Sequence, residues 1–486
     1  MVRSTHIIHK LILDIEVPHR NAAQKAQDEA VRYFEQVLLK KLEQLLDSMD
    51  VPAHVMVDRL DLDLGKGELE EVFERLQQNM SKALEYVLNP SLIPDGDEPD
   101  DAISYSSLTD EQQAFNVFVY FLNTGRLPWY IVATAEWLQQ EDVWLSKLSG
   151  LLMSDATYRL KLINLFKCSQ PAISRLFSQF DIAFIKQLAA VLLRVDAPKF
   201  QTGIDSLINE IKDSVSHQSS NGNEQLLSST DSEYRAIIEK LLHMLHLRTE
   251  YDVLPDGILK KLIDLITGEL KAFSSVSAVS LVQIADKAIQ TAESKPALQI
   301  TKPTATPDNS ETNLTKDEET EGAYINQAGL VILHPFLEYF FKDFGLLHDN
   351  DFVDLPARQL AVHLLHYLGT GNTGAFEYDL YFEKFLCRWP ANEILAREVE
   401  IPQRMLEEGD TMLGTVIKYW KALKNTSPGG LRDTFLIRNG KLIEAEKPAR
   451  LIVERKDLDI LLSSLPWGIG VIKLPWMDEP FYVEWQ

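Results

Sequence analysis

The chain has 486 residues, of which 45% are hydrophobic and 25% charged, a globular composition with apolar material for more than one core. Its 72 acidic and 48 basic side chains leave a formal net charge of −24. A surface this acidic repels phosphate backbones and anionic lipid, so nucleic acid and membrane surface are poor partners, whereas a protein with a basic face suits it.

Only two cysteines occur, Cys168 and Cys387. They make no disulfide framework and point to a reducing compartment. The N-terminal MVRSTHIIHKLILDIEVP is broken by Lys10, Asp14 and Glu16 and lacks a small-residue cleavage site, so no signal peptide is expected. No run of about 18 uncharged apolar residues predicts a membrane span.

Residues 1–92 read as a small β-α-β-α domain. Ile7, His9, Leu11, Leu13, Ile15 and Val17 alternate with Ile8, Lys10, Ile12, Asp14 and Glu16, a period of two that predicts a strand. Val31, Phe34, Leu38, Leu42, Leu45 and Met49 recur at helical steps. Val55, Val57, Leu60, Leu62 and Leu64 predict a second strand, with a phase slip near Asp58 that a bulge would produce. Leu69, Val72, Phe73, Leu76, Met80, Leu84 and Val87 predict another helix, stopped by Pro90.

Three stretches read as linkers: an acidic one at 93–109, a Ser/Asn/Gln-rich one at 213–231, and one at 296–321 expected to be disordered. Their composition buries too little apolar area to offset ordering entropy. Between them, 110–212 and 232–295 are helical in pattern. In the first, Phe121-Leu122-Asn123-Thr124-Gly125 predicts a helix end with Gly as its left-handed cap. Leu368-Gly369-Thr370-Gly371 echoes it, but two four-residue matches do not define a repeat, and shared capping chemistry accounts for them.

Residues 322–486 read as a C-terminal α+β domain, so the whole chain is a helix-rich α+β protein. Helical patterns cover 328–347, 357–369, 378–389 and 411–424. Thr426-Ser427-Pro428-Gly429-Gly430 reads as a turn, in which Ser427 and Pro428 also fit a helix cap and first position. Phe435–Arg438, Asn439-Gly440 and Lys441–Glu444 predict a β-hairpin, because Asn-Gly suits a turn with two positive φ values. Arg450–Glu454 offers a third strand.

Chemistry-bearing motifs are weak. Asp61-Leu62-Asp63-Leu64-Gly65 fails as a calcium loop, since Lys66 and Val72 stand where Gly and Glu are needed. His363 with His366, and His243 with His246, sit about one turn apart. The first pair with Cys387 would supply three zinc ligands, but no H-E-x-x-H pattern or second cysteine accompanies them. Phosphate-binding glycine loops and a G-x-S-x-G elbow are absent. The conspicuous feature is aromatic. Trp467, Trp476, Phe481, Tyr482 and Trp485 crowd the end of the chain, as residues that fill cores or dominate protein interfaces.

At this point the chain resembles the tape-measure proteins of contractile injection systems, the phage-tail-like particles of bacteria. The resemblance rests on HIIHKLILDIEV (6–17) and VDRLDLDLG (57–65), on LNTGRLPWY (122–130), and on an ordered C-terminal set. That set is AGLVILHPFLEYFF (328–341), AVHLLHYLGTG (361–371), KFLCRWP (384–390), WKALKNTSPGGLRDTFLIRNGKL (420–442) and LPWGIGVIKLPWM…YVEW (465–485). It implies a non-catalytic assembly protein with no cofactor, acting in the bacterial cytoplasm and within the growing inner tube. It also implies partners among inner-tube, baseplate or hub, and tip or cap proteins. The family's middle region varies in length and is short here. As one helix, residues 100–320 would span about 330 Å, but Pro, Gly and Ser punctuation predicts short helices in compact packing. The alternatives are a compact assembly chaperone or baseplate adaptor of the same particle and, more remotely, a metal-dependent enzyme.

Overall fold

The computed structural model describes residue 8, residues 11–17 and 19–48, residues 55–60, and scattered positions between 62 and 82. It further describes residues 103–131, 136–194, 197, 198, 200–202 and 238, then 322–391 and 393–485. The stretches read as linkers at 213–231 and 296–321, most of the helical pattern at 232–295, and the pair His243 and His246 lie outside them. The chain divides into two compact units, Met1–Asn116 and Val117–Gln486.

In the first unit the charged, amphipathic run folds as α1 (Arg20–Tyr33), a π turn (Phe34–Leu38) and α2 (Leu39–Asp47). Leu38 and Leu42 are buried, with Leu13, Phe34, Leu76 and Met80 packed on them, so the middle of the helical spacing is a buried stripe, whereas Val31, expected on it, is exposed. β1 (Val55–Leu60) pairs antiparallel with β2 (Ile103–Ser107), and the register shifts between Val57 and Arg59. This is the bulge that the phase slip at Asp58 requires. β2 falls within the acidic stretch read as a linker. Its alternation of Ile103 and Tyr105 with serines is short and hidden behind a run of acids and prolines. Residues 11–17, expected as a strand, join no ladder among the described residues. Alternation specifies an extended segment, but a ladder also needs a free edge.

Short capped helices follow. Thr109 and Gln112 exchange backbone-to-side-chain hydrogen bonds at 3.0 and 3.3 Å, a capping box that starts α3 (Asp110–Thr124). α4 (Glu141–Ser154), α5 (Ala156–Cys168), α6 (Gln170–Gln179) and α7 (Ile182–Leu193) come next. Asp155, Ser169 and Asp181 each accept a backbone N–H of the following helix. A cap recurring every 12 to 14 residues therefore divides the region into helices instead of one rod. Phe118, Trp144, Phe180 and Phe184 form its aromatic core, the Phe180 and Phe184 rings stacking at 4.3 Å.

The C-terminal region packs α8 (His334–Asp343), α9 (Leu355–Thr370), α10 (Tyr381–Leu386), α11 (Gln403–Tyr419) and a turn of helix, α12 (Pro428–Leu431), against a sheet. Ser427 caps α12 with Pro428 in first position, so of the two readings of 426–430 the helix start holds. β4 (Leu347–His348) and β5 (Asp351–Phe352) form a small ribbon. The main sheet runs β3 (Ala323–Ile325), β6 (Gly440–Ile443), β7 (Arg450–Val453), β9 (Phe481–Trp485), β8 (Val471–Ile472), with β7 and β9 parallel. Leu442, Leu451, Val453, Ile472, Phe481 and Val483 line its buried face.

The expected hairpin is displaced. Residues 432–436 form a π turn continuing α12, not a strand, and the hairpin joins β6 to β7 through residues 444–449. Two interactions override the Asn-Gly preference. Ser427 and Pro428 commit the preceding segment to helix, and Arg438 is fully buried, donating to Thr434 O, Glu454 O and Asp459. Gly440 is needed for close approach. A Cβ there would sit 2.8 Å from Ala328 Cβ and 2.9 Å from Ile452 O.

Candidate functional site

The five C-terminal aromatics separate by environment. Trp476 is buried, its Nε1 donating to Leu386 O at 2.7 Å and its ring against Phe341 and Phe352. Phe481 is buried beside Phe382 and Phe385. Trp485 is half-buried. Its Nε1 donates to Asp459 Oδ2 at 2.9 Å, the same oxygen that receives Arg438 at 3.0 Å. Trp467 is also half-buried, donating to Ile332 O at 3.0 Å, with an edge-on contact to Phe336. Tyr482 is 45% exposed and stands opposite exposed Val471 across β8 and β9.

Beside Trp467 lies an aromatic strip that pattern reading of the last twenty residues misses. Phe336 stands 6.2 Å from Tyr419 and 5.2 Å from Trp467, ring to ring. Tyr339, one turn along α8 from Phe336, is 71% exposed and Tyr419 is 61% exposed. Helical phase is the sequence signal for both. In α8 the core takes Leu337, Phe340 and Phe341; in α11 it takes Met412, Leu413, Val416 and Ile417. Tyr339 and Tyr419 fall off those stripes. Single exposed apolar groups are ordinary, but clustered aromatics mark contact surfaces.

The family description for contractile injection system tape measure protein matches residues 5–485. The chain belongs to this family. No curated protein and no solved structure matches it.

This tape measure protein also holds a buried polar joint. Arg175 Nε donates to Glu377 Oε2 at 2.8 Å and its Nη1 donates to Leu122 O. Lys384 Nζ donates to Glu377 Oε1 at 2.6 Å. Gln179 Oε1 accepts the Glu377 N–H, and its Nε2 donates to Leu395 O, both at 2.7 Å. Arg397 pairs with Glu141 and lies 3.9 Å from the centre of the Phe376 ring. Burial holds the Lys384 ammonium below its usual range, against the opposing pull of Glu377. Burial also raises Asp379 to about 6, while the Gln139 amide donates to it at 2.8 Å. Perturbed carboxyls of this kind occur in ion-pair networks as well as in active sites, and here each has a structural partner.

The histidine pair of α9 serves packing. His363 Nε2 lies 2.9 Å from Ala396 O, a carbonyl, so this nitrogen carries the proton and donates. Burial lowers His363 to about 4. His366 Nδ1 lies 3.4 Å from Glu383 Oε1. Cys387 is fully buried, and desolvation pushes its thiol well above the ordinary range. Among the described residues no group of His, Cys, Asp and Glu could hold a metal ion. No described helix is long and apolar enough to cross a membrane.

Proposed function

We propose that the protein sets the length of the inner tube during assembly of the injection particle, as a binding protein without catalytic action. The match over residues 5–485 carries this reading. In it, blocks 1–92 and 322–486 are the fixed ends, and residues 93–321 are the part whose length matters. The aromatic strip of Phe336, Tyr339, Tyr419 and Trp467 docks on a particle protein at one end of the tube: a tube, baseplate or hub, or cap subunit. The acidic chain, at −24, favours a partner with a basic rim. It acts in the bacterial cytoplasm while the particle is built and resides within the tube.

The measurement is the length distribution of particles in electron micrographs. Inserting about 30 helix-forming residues into 213–231 lengthens a helical ruler by roughly 45 Å, at 1.5 Å per residue. Two insert sizes should give proportionate shifts. An unchanged mean length with normal particle yield would overturn the ruler in favour of the compact chaperone or adaptor.

A further inference from the structure

Two segments of the chain are built alike. α3 ends at Leu122-Asn123-Thr124-Gly125 and α9 at Leu368-Gly369-Thr370-Gly371. Gly125 and Gly371 adopt φ of 71° and 81°, where only glycine is unstrained. Their N–H groups donate to Phe121 O and Tyr367 O, both at 2.7 Å. The hydroxyls of Thr124 and Thr370 donate to Tyr120 O and His366 O, both at 2.8 Å. The same hydroxyls accept the N–H of Arg126 and Asn372, both at 3.1 Å.

Likeness of caps alone is local helix chemistry, but it continues. Each cap is followed by a 3-10 turn that opens on Glu and an aromatic residue, Glu136-Trp137 and Glu377-Tyr378. Each part then reaches a helix capped by Ser with Pro in its first turn: Ser169 with Pro171, and Ser427 with Pro428. From each of these segments an arginine returns to the same carbonyl of the cap. Arg175 donates to Leu122 O across 53 positions, and Arg432 to Leu368 O across 64. No local rule produces that return contact twice.

The two parts differ in where the arginine's charge is paired. Arg175 pairs with Glu377, the first residue of the other part's 3-10 turn. Arg432 pairs with Asp410 of its own part, at 2.6 Å. In repeat arrays an inner unit spends its exposed face on the next unit, and the last unit closes on itself. We infer that residues 110–179 and 355–436 are two copies of one helical module docked head to tail, that the second is the terminal copy, and that the docking surface opening on Glu377 accepts any further copy of the first. Only one consequence rests on the length-setting role proposed above: tube length would then change in whole modules.

The test uses the full chain and needs no particle. A second copy of residues 108–202 is inserted after residue 202, with two linker lengths. A control carries the same insert with Glu136→Leu and Arg175→Met in the added copy only. The expected result is a soluble monomer whose added copy resists protease as well as the original does, and whose maximum dimension in X-ray scattering grows by roughly 20 Å, about the length of a 14-residue helix. The control's added copy should be cleaved. Digestion of the added copy with both linkers, or equal resistance in the control, overturns the inference. A second measurement keeps the unmodified length. Glu377→Gln should speed amide exchange at residues 122–126, and Asp410→Asn should do so at 368–372 only. Loosening of the first cap by Asp410→Asn, or none by Glu377→Gln, also overturns it. A module that folds without changing tube length would sink the ruler and leave the module standing.

Discussion

The Arg175 guanidinium donates to the Glu377 carboxylate at 2.8 Å, with both side chains buried and 202 positions between them in the chain. Burying charge is expensive, so such a pair specifies its partner more than it adds stability. Removing Arg175 leaves the buried Glu377 carboxylate with Lys384 as its remaining counter-ion, whereas removing Glu377 strands both cations. Arg175→Ala should therefore destabilise the second unit by about 1.5–3 kcal/mol in urea unfolding, the loss of a charge-assisted hydrogen bond. Arg175→Met combined with Glu377→Gln and Lys384→Met should lose less than Arg175→Ala alone, because no full charge of the triad is then stranded. A loss under about 1 kcal/mol for Arg175→Ala would show that the pair is solvated in solution.

Acid should act through His363. Its folded-state pKa of about 4 lies below the ordinary 6.5, and protonation would add an N–H at Nδ1, which has no acceptor. A depressed pKa contributes stability above the unfolded value and loses it as pH falls through the folded one. The window therefore runs from about pH 6.5 down to about 4. His363→Gln keeps a donor for Ala396 O and cannot titrate. The stability of wild type relative to His363→Gln should fall by roughly 3 kcal/mol across the window, at 1.36 kcal/mol per unit. A flat difference would mean that His363 is solvated when charged.

Gly440 shows where sequence reading succeeds and where it stops. Local signals read well: the Ser427 and Pro428 helix start, the Gly125 cap and the bulge beside Asp58 all rest on residues within a few positions of one another. The turn assigned to Asn439-Gly440 fails, because the competing forces are distant. Ala328 and Ile452 approach Gly440 from two other segments, and Arg438 is fixed by Asp459. The same holds for the buried joint, since nothing in the sequence around Arg175 points to Glu377. Gly440→Ala should thus lose about 1–3 kcal/mol from overpacking. Asn439→Ala, which removes only the supposed turn preference, should stay within about 0.5 kcal/mol. Equal losses for the two would restore the hairpin reading.

The aromatic residues of the C-terminal region should separate into two classes by experiment. Trp476 has almost no exposure and its indole N–H is paired, so Trp476→Ala should cost about 3–5 kcal/mol and lose the near-UV circular dichroism of the region. Tyr339 and Tyr419 bury little. Tyr339→Ser with Tyr419→Ser should leave stability within about 0.5 kcal/mol per site. If the strip they form with Phe336 and Trp467 docks the particle partner, that folded double variant should yield few or no particles, because interface aromatics carry a disproportionate share of binding energy. A variant at exposed Ile460, 74% accessible, controls for loss of any surface apolar group. Normal particles from the folded tyrosine double variant would remove the strip from the interface and leave the exposed, cross-strand pair Tyr482 and Val471 of β9 and β8 as the next surface to alter.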